Sequence, residues 1–161
     1  MKKYNVAIVG MGFIGKLHYD ALRRLPNVHI RTIVVHRESE IPLVKQAYDV
    51  DIVTTDWREA VADPQIQVIH NCTPNALHDE VNLAAIAAGK HIYAEKPMSL
   101  TTQRAEAAYD AANAAGDTPG INYQYRMHAA DQEMRGQLPG GTQRARRYVR
   151  GLIQPNTSAR L

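Results

Sequence analysis

Four short stretches carry residue types that could do chemistry together. The first, Gly10-Met11-Gly12-Phe13-Ile14-Gly15, has the G-x-G-x-x-G spacing, with the apolar run Tyr4-Asn5-Val6-Ala7-Ile8-Val9 before it and a helical pattern after it. Between a strand and a helix, this spacing makes a cradle for the pyrophosphate of a dinucleotide. Gly10 permits the tight turn, Gly12 lets the backbone approach the phosphates, and Gly15 lets the helix pack on the strand. The helix N-terminus supplies unpaired N–H groups and a partial positive charge. On these residues alone, a tight βα turn without a ligand remains the alternative.

The second stretch is Cys72-Thr73-Pro74-Asn75, with His78 one helical turn on. Thr and Asn side chains can hydrogen-bond a ribose or a carboxamide, and Pro fixes the turn. Helix capping by Thr73 or Asn75 would use the same side chains, and Cys72, with no base beside it, reads as a small buried hydrophobe. The third is Glu95-Lys96-Pro97. A lysine at a strand tip can donate a proton or polarise a hydroxyl or carbonyl, although many such lysines are merely solvated. The fourth is His36-Arg37, after the second apolar run. An acid there would bind the adenosine ribose 2′-OH, and an arginine can pair with a 2′-phosphate. No acid stands at this strand tip, so His36 and Arg37 favour NADP over NAD, while Glu38 is close enough to keep NAD open.

The elements that must hold these stretches follow from periodicity. Apolar runs predict strands over residues 5–9, 29–35, 51–54, 67–72, 91–94 and 119–123. Helical patterns span residues 14–25, 41–48, 77–88 and 101–115, with one or two helical turns at 56–61. The expected inner stripes are Ile14, Leu17, Ala21, Leu22 and Leu25 in the first helix, and Leu77, Val81, Ala84, Ala85 and Ala88 in the third. The small stripe Ala105, Ala108, Ala112 and Ala115 allows the last helix to lie close to a sheet, and Gly89 and Gly116 end their helices. Strands and helices alternate, which predicts an α/β fold with an open, doubly wound parallel sheet over residues 1–123. Such sheets bind ligands outside the carboxyl ends of their strands, and all four stretches fall there. Beyond them, residues 127–138 read as helix and 147–150 as a strand, and the end of the chain carries no packing pattern.

At 161 residues, 45% hydrophobic and 22% charged, the chain has the composition of an ordinary soluble domain. Cys72 is the sole cysteine, which excludes a disulfide framework or a Cys-based metal site and makes a reducing, cytoplasmic setting the expectation. No metal-ligand spacing, signal-peptide pattern or membrane-length apolar run is present. The charge is unevenly spread: residues 1–133 carry 13 Lys/Arg against 16 Asp/Glu, whereas residues 134–161 carry six arginines and no acid. A nucleic-acid role for that arginine-rich tail is possible in principle, but Tyr148 is its only aromatic.

Taken together, these residues resemble the Gfo/Idh/MocA oxidoreductases, typified by glucose–fructose oxidoreductase and inositol dehydrogenase. The matching residues are Gly10–Gly15 with His18, Asp63-Pro64 with Val68, Cys72-Thr73-Pro74-Asn75 with His78, Ala88-Gly89-Lys90-His91-Ile92-Tyr93, Glu95-Lys96-Pro97, and Asn122-Tyr123 with Arg126. The Gly-Lys-His-x-x-x-Glu-Lys-Pro stretch is the most specific of them. The resemblance implies a Rossmann domain that binds NADP or NAD and moves hydride between the nicotinamide and a hydroxyl-bearing carbon of a sugar or polyol. It implies that Lys96 is catalytic and that the Lys96-Pro97 bond is cis. The cofactor-binding candidates are Gly10, Gly12, Phe13, Ile14, Gly15, His36, Arg37, Cys72, Thr73, Pro74, Asn75, His78, Glu95, Lys96, Pro97, Asn122 and Arg126. Relatives continue into a second, mostly antiparallel α+β domain that supplies a catalytic Asp and His, the substrate pocket and usually the oligomer interface. Residues 124–161 read as a truncated start of that domain with a poorly ordered tail. The expectation is therefore cofactor binding with little turnover. The rival readings are a non-catalytic nucleotide-binding module that senses or docks, and nucleic-acid binding through the tail.

Overall fold

Successive side chains of a strand point to opposite faces of its sheet, and the first strand shows both faces covered. In β1 (Tyr4–Val9), Val6 and Ile8 belong to one buried cluster, and Ala7 and Val9 to another. The computed structural model describes residues 2–116, 119–130 and 132–133. The chain divides into two units, residues 1–123 and 124–161.

In the first unit the order is β1, α1 (Phe13–Leu22), β2 (Val28–Val34), α2 (Ile41–Ala47), β3 (Ile52–Thr54), α3 (Trp57–Ala62), β4 (Val68–Asn71), α4 (His78–Ala87), β5 (His91–Glu95), α5 (Thr102–Ala114) and β6 (Gly120–Asn122). All five strand pairings are parallel, and the strands lie in the order β3-β2-β1-β4-β5-β6. This is the doubly wound Rossmann arrangement. Its strand order reverses between β1 and β4, and the crevice that opens there is where such sheets take ligands. Tyr19 and Leu22 of α1 and Val44 of α2 cover one face; Ala60 and Val61 of α3, Val81, Ala85 and Ile86 of α4, and Ala112 of α5 cover the other.

Two helices bury a different stripe from the one the apolar residues suggest. In α1 the buried residues are Gly15, His18, Tyr19 and Leu22, while Leu17 and Leu25 are each 48% exposed. The 3.6-residue period is intact, but it turns a histidine inward because His18 has buried partners, described below. In α4 the buried set includes His78 and Asn82, and Leu77 falls in the preceding 3-10 turn, Asn75–Leu77, half-exposed. Lys90 is also buried. Its ammonium donates to the carbonyls of Asp63 (2.7 Å) and Ile66 (2.8 Å), tying the start of β5 to the loop before β4. The lysine of the Gly-Lys-His run is thus a structural tie.

In the second unit, Gln124–Met127 form a 3-10 turn and the Gln132 amide donates to the Arg126 carbonyl. The tail strand at 147–150, most of the helix expected over 127–138 and the arginine-rich segment lie outside the described residues.

Candidate nucleotide cleft

The glycine turn is built by close approach. Gly10 has a φ of +95°, and its N–H donates to the Val34 carbonyl (3.0 Å). A Cβ on Gly10 would sit 2.6 Å from the Cys72 carbonyl oxygen, and one on Gly15 would sit 2.0 Å from the Gly10 carbonyl oxygen. Both glycines are demanded by the fold itself. Gly12 differs: a Cβ there would meet nothing within 4 Å. Gly12 is the N-cap of α1 and caps it with no side-chain hydrogen bond. The first-turn N–H groups of a helix have no partner within it, so the turn presents bare donors to open space, as a phosphate cradle must.

That space is a cleft of about 780 Å³. Its floor is the turn from Gly10 to Ile14. Val35, His36 and Glu40 stand at the tip of β2, Cys72, Thr73 and Pro74 follow β4, and Leu43, Val44, Ala47, Tyr48 and Leu77 make apolar walls. A cleft with apolar walls and a helix N-terminus suits a ligand combining a flat ring with phosphates.

One expectation about the β2 tip needs correcting. No acid directly follows the strand in sequence, yet a 3-10 turn at Glu38–Glu40 folds one back to it. Glu40 Oε2 accepts from the backbone N–H groups of both His36 and Arg37, each at 3.0 Å. Glu38 is turned away and accepts from the Thr55 hydroxyl at 2.6 Å.

The loop after β4 is held from beneath. Fully buried Asn71 accepts from the Thr73 hydroxyl (2.6 Å) and N–H (3.2 Å) and donates to Asn82 (2.8 Å). His78 is also fully buried; its Nε2 lies 3.0 Å from the Thr73 carbonyl and its Nδ1 2.7 Å from the Pro97 carbonyl. It therefore stands behind the cleft wall and ties the loops after β4 and β5 together.

At the tip of β5, Glu95 is buried in a polar network on the α1 side of the sheet. Its Oε1 meets His18 Nε2 at 3.0 Å and accepts from Asn122 Nδ2 at 2.5 Å. Asn122 in turn accepts from the Tyr93 hydroxyl at 3.1 Å, and His18 Nδ1 lies 3.0 Å from His70 Nδ1. The Glu95 carboxylate accepts from His18 Nε2, and the contact between the two Nδ1 atoms needs one ring to donate and the other to accept. Burial, and then the neighbouring His18, holds His70 neutral, its pKa lowered to about 3. Burial, then Glu95, raises Tyr93 and pushes the Cys72 thiol up to about 12, so Cys72 is a protonated, inert thiol. The Tyr93 ring packs over both histidines and occupies the space where a Cβ on Gly120, its cross-strand partner, would come within 2.7 Å.

Lys96 itself is exposed, and its bond to Pro97 is cis, as the motif implied. Of the candidates, Gly10, Gly12, Phe13, Ile14, His36, Cys72, Thr73 and Pro74 line the cleft. Gly15 packs beneath it, and Arg37 and Asn75 are exposed outside the lining. Lys96 and Pro97 stand at the next strand tip, Glu95 and Asn122 point into the network, and Arg126 belongs to the second unit. Glu40, the α2 wall and the His18–His70 pair were not legible as site elements. Only His18 carried a signal, through its place in the family motif.

The family profile described as an oxidoreductase family with an NAD-binding Rossmann fold, Gfo/Idh/MocA, matches residues 4–123. The chain belongs to this family. Levoglucosan dehydrogenase of Pseudarthrobacter phenanthrenivorans is 33% identical over 138 residues, which cover 81% of this chain and 35% of that protein. A structure of levoglucosan dehydrogenase in complex with NADH and L-sorbose superposes with a TM-score of 0.72 at 33% identity, covering 78% of this chain and 36% of the other. Biliverdin reductase of a Synechocystis species, solved with biliverdin and NADP+, shares the fold, with a TM-score of 0.78 at 23% identity over 83% of this chain and 42% of that one. This Gfo/Idh/MocA chain thus spans little more than a third of the length of the relatives it matches. Among the described residues, no helix is long and apolar enough to cross a membrane.

Proposed function

We propose that this chain is the cofactor-binding part of an NAD(P)-dependent oxidoreductase acting on a sugar- or polyol-type alcohol. The observation that carries the reading is the Gly12 turn: an open, uncapped helix N-terminus at the floor of a cleft with apolar walls. The residues fit a nicotinamide dinucleotide. The turn from Gly10 to Ile14 would hold the pyrophosphate, α2 and Leu77 would flank the adenine, and Thr73, oriented by Asn71, would meet the ribose on the nicotinamide side. When bound, the cofactor accepts or gives hydride at the carbon that carries the substrate oxygen. Lys96, at the tip of β5, would donate a hydrogen bond to that oxygen, lowering the cost of its developing negative charge. Its ammonium forms no hydrogen bond or ion pair with another described residue, so it is free to serve a ligand.

Support for the sugar or polyol class comes from the relatives, whose names include levoglucosan dehydrogenase, myo-inositol 2-dehydrogenase and D-glucoside 3-dehydrogenase. The choice between cofactors turns on the β2 tip, where His36 and Arg37 favour NADP and Glu40 opposes it. We further propose that residues 1–161 bind the cofactor but oxidise alcohols slowly or not at all, because the family resemblance implies that the Asp and His working with Lys96 lie in a second, substrate-binding domain. Titrating NADH and NADPH fluorescence tests the first claim. Saturable binding abolished by Gly12→Val is expected, and no binding of either would overturn it. Robust NADH production from myo-inositol or levoglucosan by this chain alone would overturn the second.

A further inference from the structure

Asn71 is a polar residue where a core strand calls for an apolar one. It ends β4, between β1 and β5, and is fully buried. A buried amide is costly unless its hydrogen bonds are made, and this one makes all four that its chemistry allows. Its Oδ1 accepts from the Thr73 N–H (3.2 Å) and hydroxyl (2.6 Å), and its Nδ2 donates to Asn82 Oδ1 (2.8 Å) and the His78 carbonyl (3.3 Å). Two of these partners are backbone groups whose roles cannot reverse: the Thr73 N–H only donates and the His78 carbonyl only accepts. They settle which end of the amide is the oxygen. Because that oxygen carries no proton, the 2.6 Å contact takes the single hydroxyl proton of Thr73. We infer that Asn71 is a positioning residue for the cofactor: by holding that proton, it presents Thr73 to the cleft as an acceptor only.

The consequence is a sorting of ligand groups. Along a nicotinamide dinucleotide the donors are the ribose hydroxyls and the carboxamide and adenine amino groups, whereas the phosphate oxygens only accept. Thr73 can pair with a donor and meets a phosphate lone pair to lone pair. The Gly12 turn has the opposite polarity, since it offers helix N–H groups. The cleft therefore has a donating floor and an accepting wall, which sets the register of the ligand along it. Thr73 also adjoins the turn closely: its N lies 3.1 Å from where a Cβ on Gly10 would sit. The group one step beyond a pyrophosphate on that turn is a ribose, and its hydroxyl is the donor that Thr73 takes. Asn82, itself 3% exposed, backs the arrangement by holding the Asn71 amide from behind.

The inference rests on the dinucleotide reading above, and ligand fragments separate the two. ADP-ribose, ADP and ATP are competed against NADH fluorescence with the wild type, Thr73→Val, Asn71→Leu and the double variant, far-UV circular dichroism confirming the fold. ADP-ribose keeps the distal ribose, ADP lacks it, and ATP puts an accepting phosphate in its place. Thr73→Val should weaken ADP-ribose about threefold to tenfold, the scale of one hydrogen bond, and leave ADP and ATP within about twofold of wild type. Asn71→Leu should give the same pattern, and the double variant should lose nothing further, because Asn71 acts through the Thr73 hydroxyl. Equal losses for all three ligands, additive losses in the double variant, or an unchanged ADP-ribose affinity in either single variant would overturn the inference and leave the dinucleotide reading standing. Binding of neither NADH nor ADP-ribose by the wild type would overturn both. If Asn71→Leu does not fold, proton NMR of the wild type with ADP-ribose bound decides the matter. A Thr73 hydroxyl proton protected from exchange and close to the Asn71 side chain is expected; one that exchanges freely or turns to the ligand would overturn the inference.

Discussion

A Cβ built on Gly15 lands 2.0 Å from the Gly10 carbonyl oxygen, whereas one on Gly12 meets nothing. Substitutions at the two positions should therefore separate stability from binding. Gly15→Ala should lower stability by at least about 1–3 kcal/mol, the usual cost of overpacking, read as an earlier urea midpoint. Gly12→Val should leave the unfolding free energy from urea titration within about 0.5 kcal/mol of wild type and abolish cofactor quenching. His70 offers a second test at this scale. Unfolded, its imidazole titrates near the ordinary 6.5; folded, it resists protonation down to about 3. Between those values the unfolded chain holds a proton that the folded chain refuses. The contribution to stability is complete above pH 6.5 and declines as pH falls, by at most ~1.4 kcal/mol per pH unit for one group. His70→Asn should therefore lose less stability than wild type between about pH 7 and about pH 4.5, by roughly 1–2 kcal/mol in urea unfolding. An equal loss in both proteins would refute this account.

At the scale of elements, the two loops that carry the motif residues Thr73 and Lys96-Pro97 are coupled through one buried ring. His78 faces a partly buried carbonyl of each loop, and removing it takes away the ring N–H that holds one of them. His78→Leu should cost about 1–3 kcal/mol and also weaken NADH binding, measured by melting and titration on the same preparation. A stability loss with unchanged NADH affinity would reduce His78 to a core residue. This coupling shows where the sequence was readable and where it was not. The succession of strands and helices along the chain and the glycine turn follow from local apolar periodicity and spacing, which survive in any context. The inward stripe of α1 does not. His18 is buried because Glu95 and His70 receive it from strands remote in the chain, and no window around His18 contains that information. Lys90 is similar: its burial depends on two carbonyls of the loop before β4, remote from it in the chain.

For the whole molecule, the cleft couples ligand binding to folding. It is assembled from the tips of β1, β2 and β4 together with α2, so none of it survives in the unfolded chain. A cofactor present at about 100 times its dissociation constant should add roughly 2.7 kcal/mol of stability, visible as an upward shift of the melting midpoint. The same concentration should leave Gly12→Val unmoved; an equal shift in that variant would place binding elsewhere. The glycine turn and the motif loops marked out half of this cleft in the sequence. The other half, Glu40 and the α2 wall, was hidden because a short turn rather than a strand carries it there.

The pairing of Tyr93 with Gly120 constrains the order in which this protein can change over generations. The aromatic ring occupies the volume a side chain at position 120 would need, and its hydroxyl helps hold Asn122 against Glu95. Gly120 cannot acquire a side chain while the ring is present, but the ring can shrink while Gly120 stays. Divergence at this pair should therefore run in one direction, with position 93 changing before position 120. Descendants in which position 120 bears a side chain should already have lost the ring.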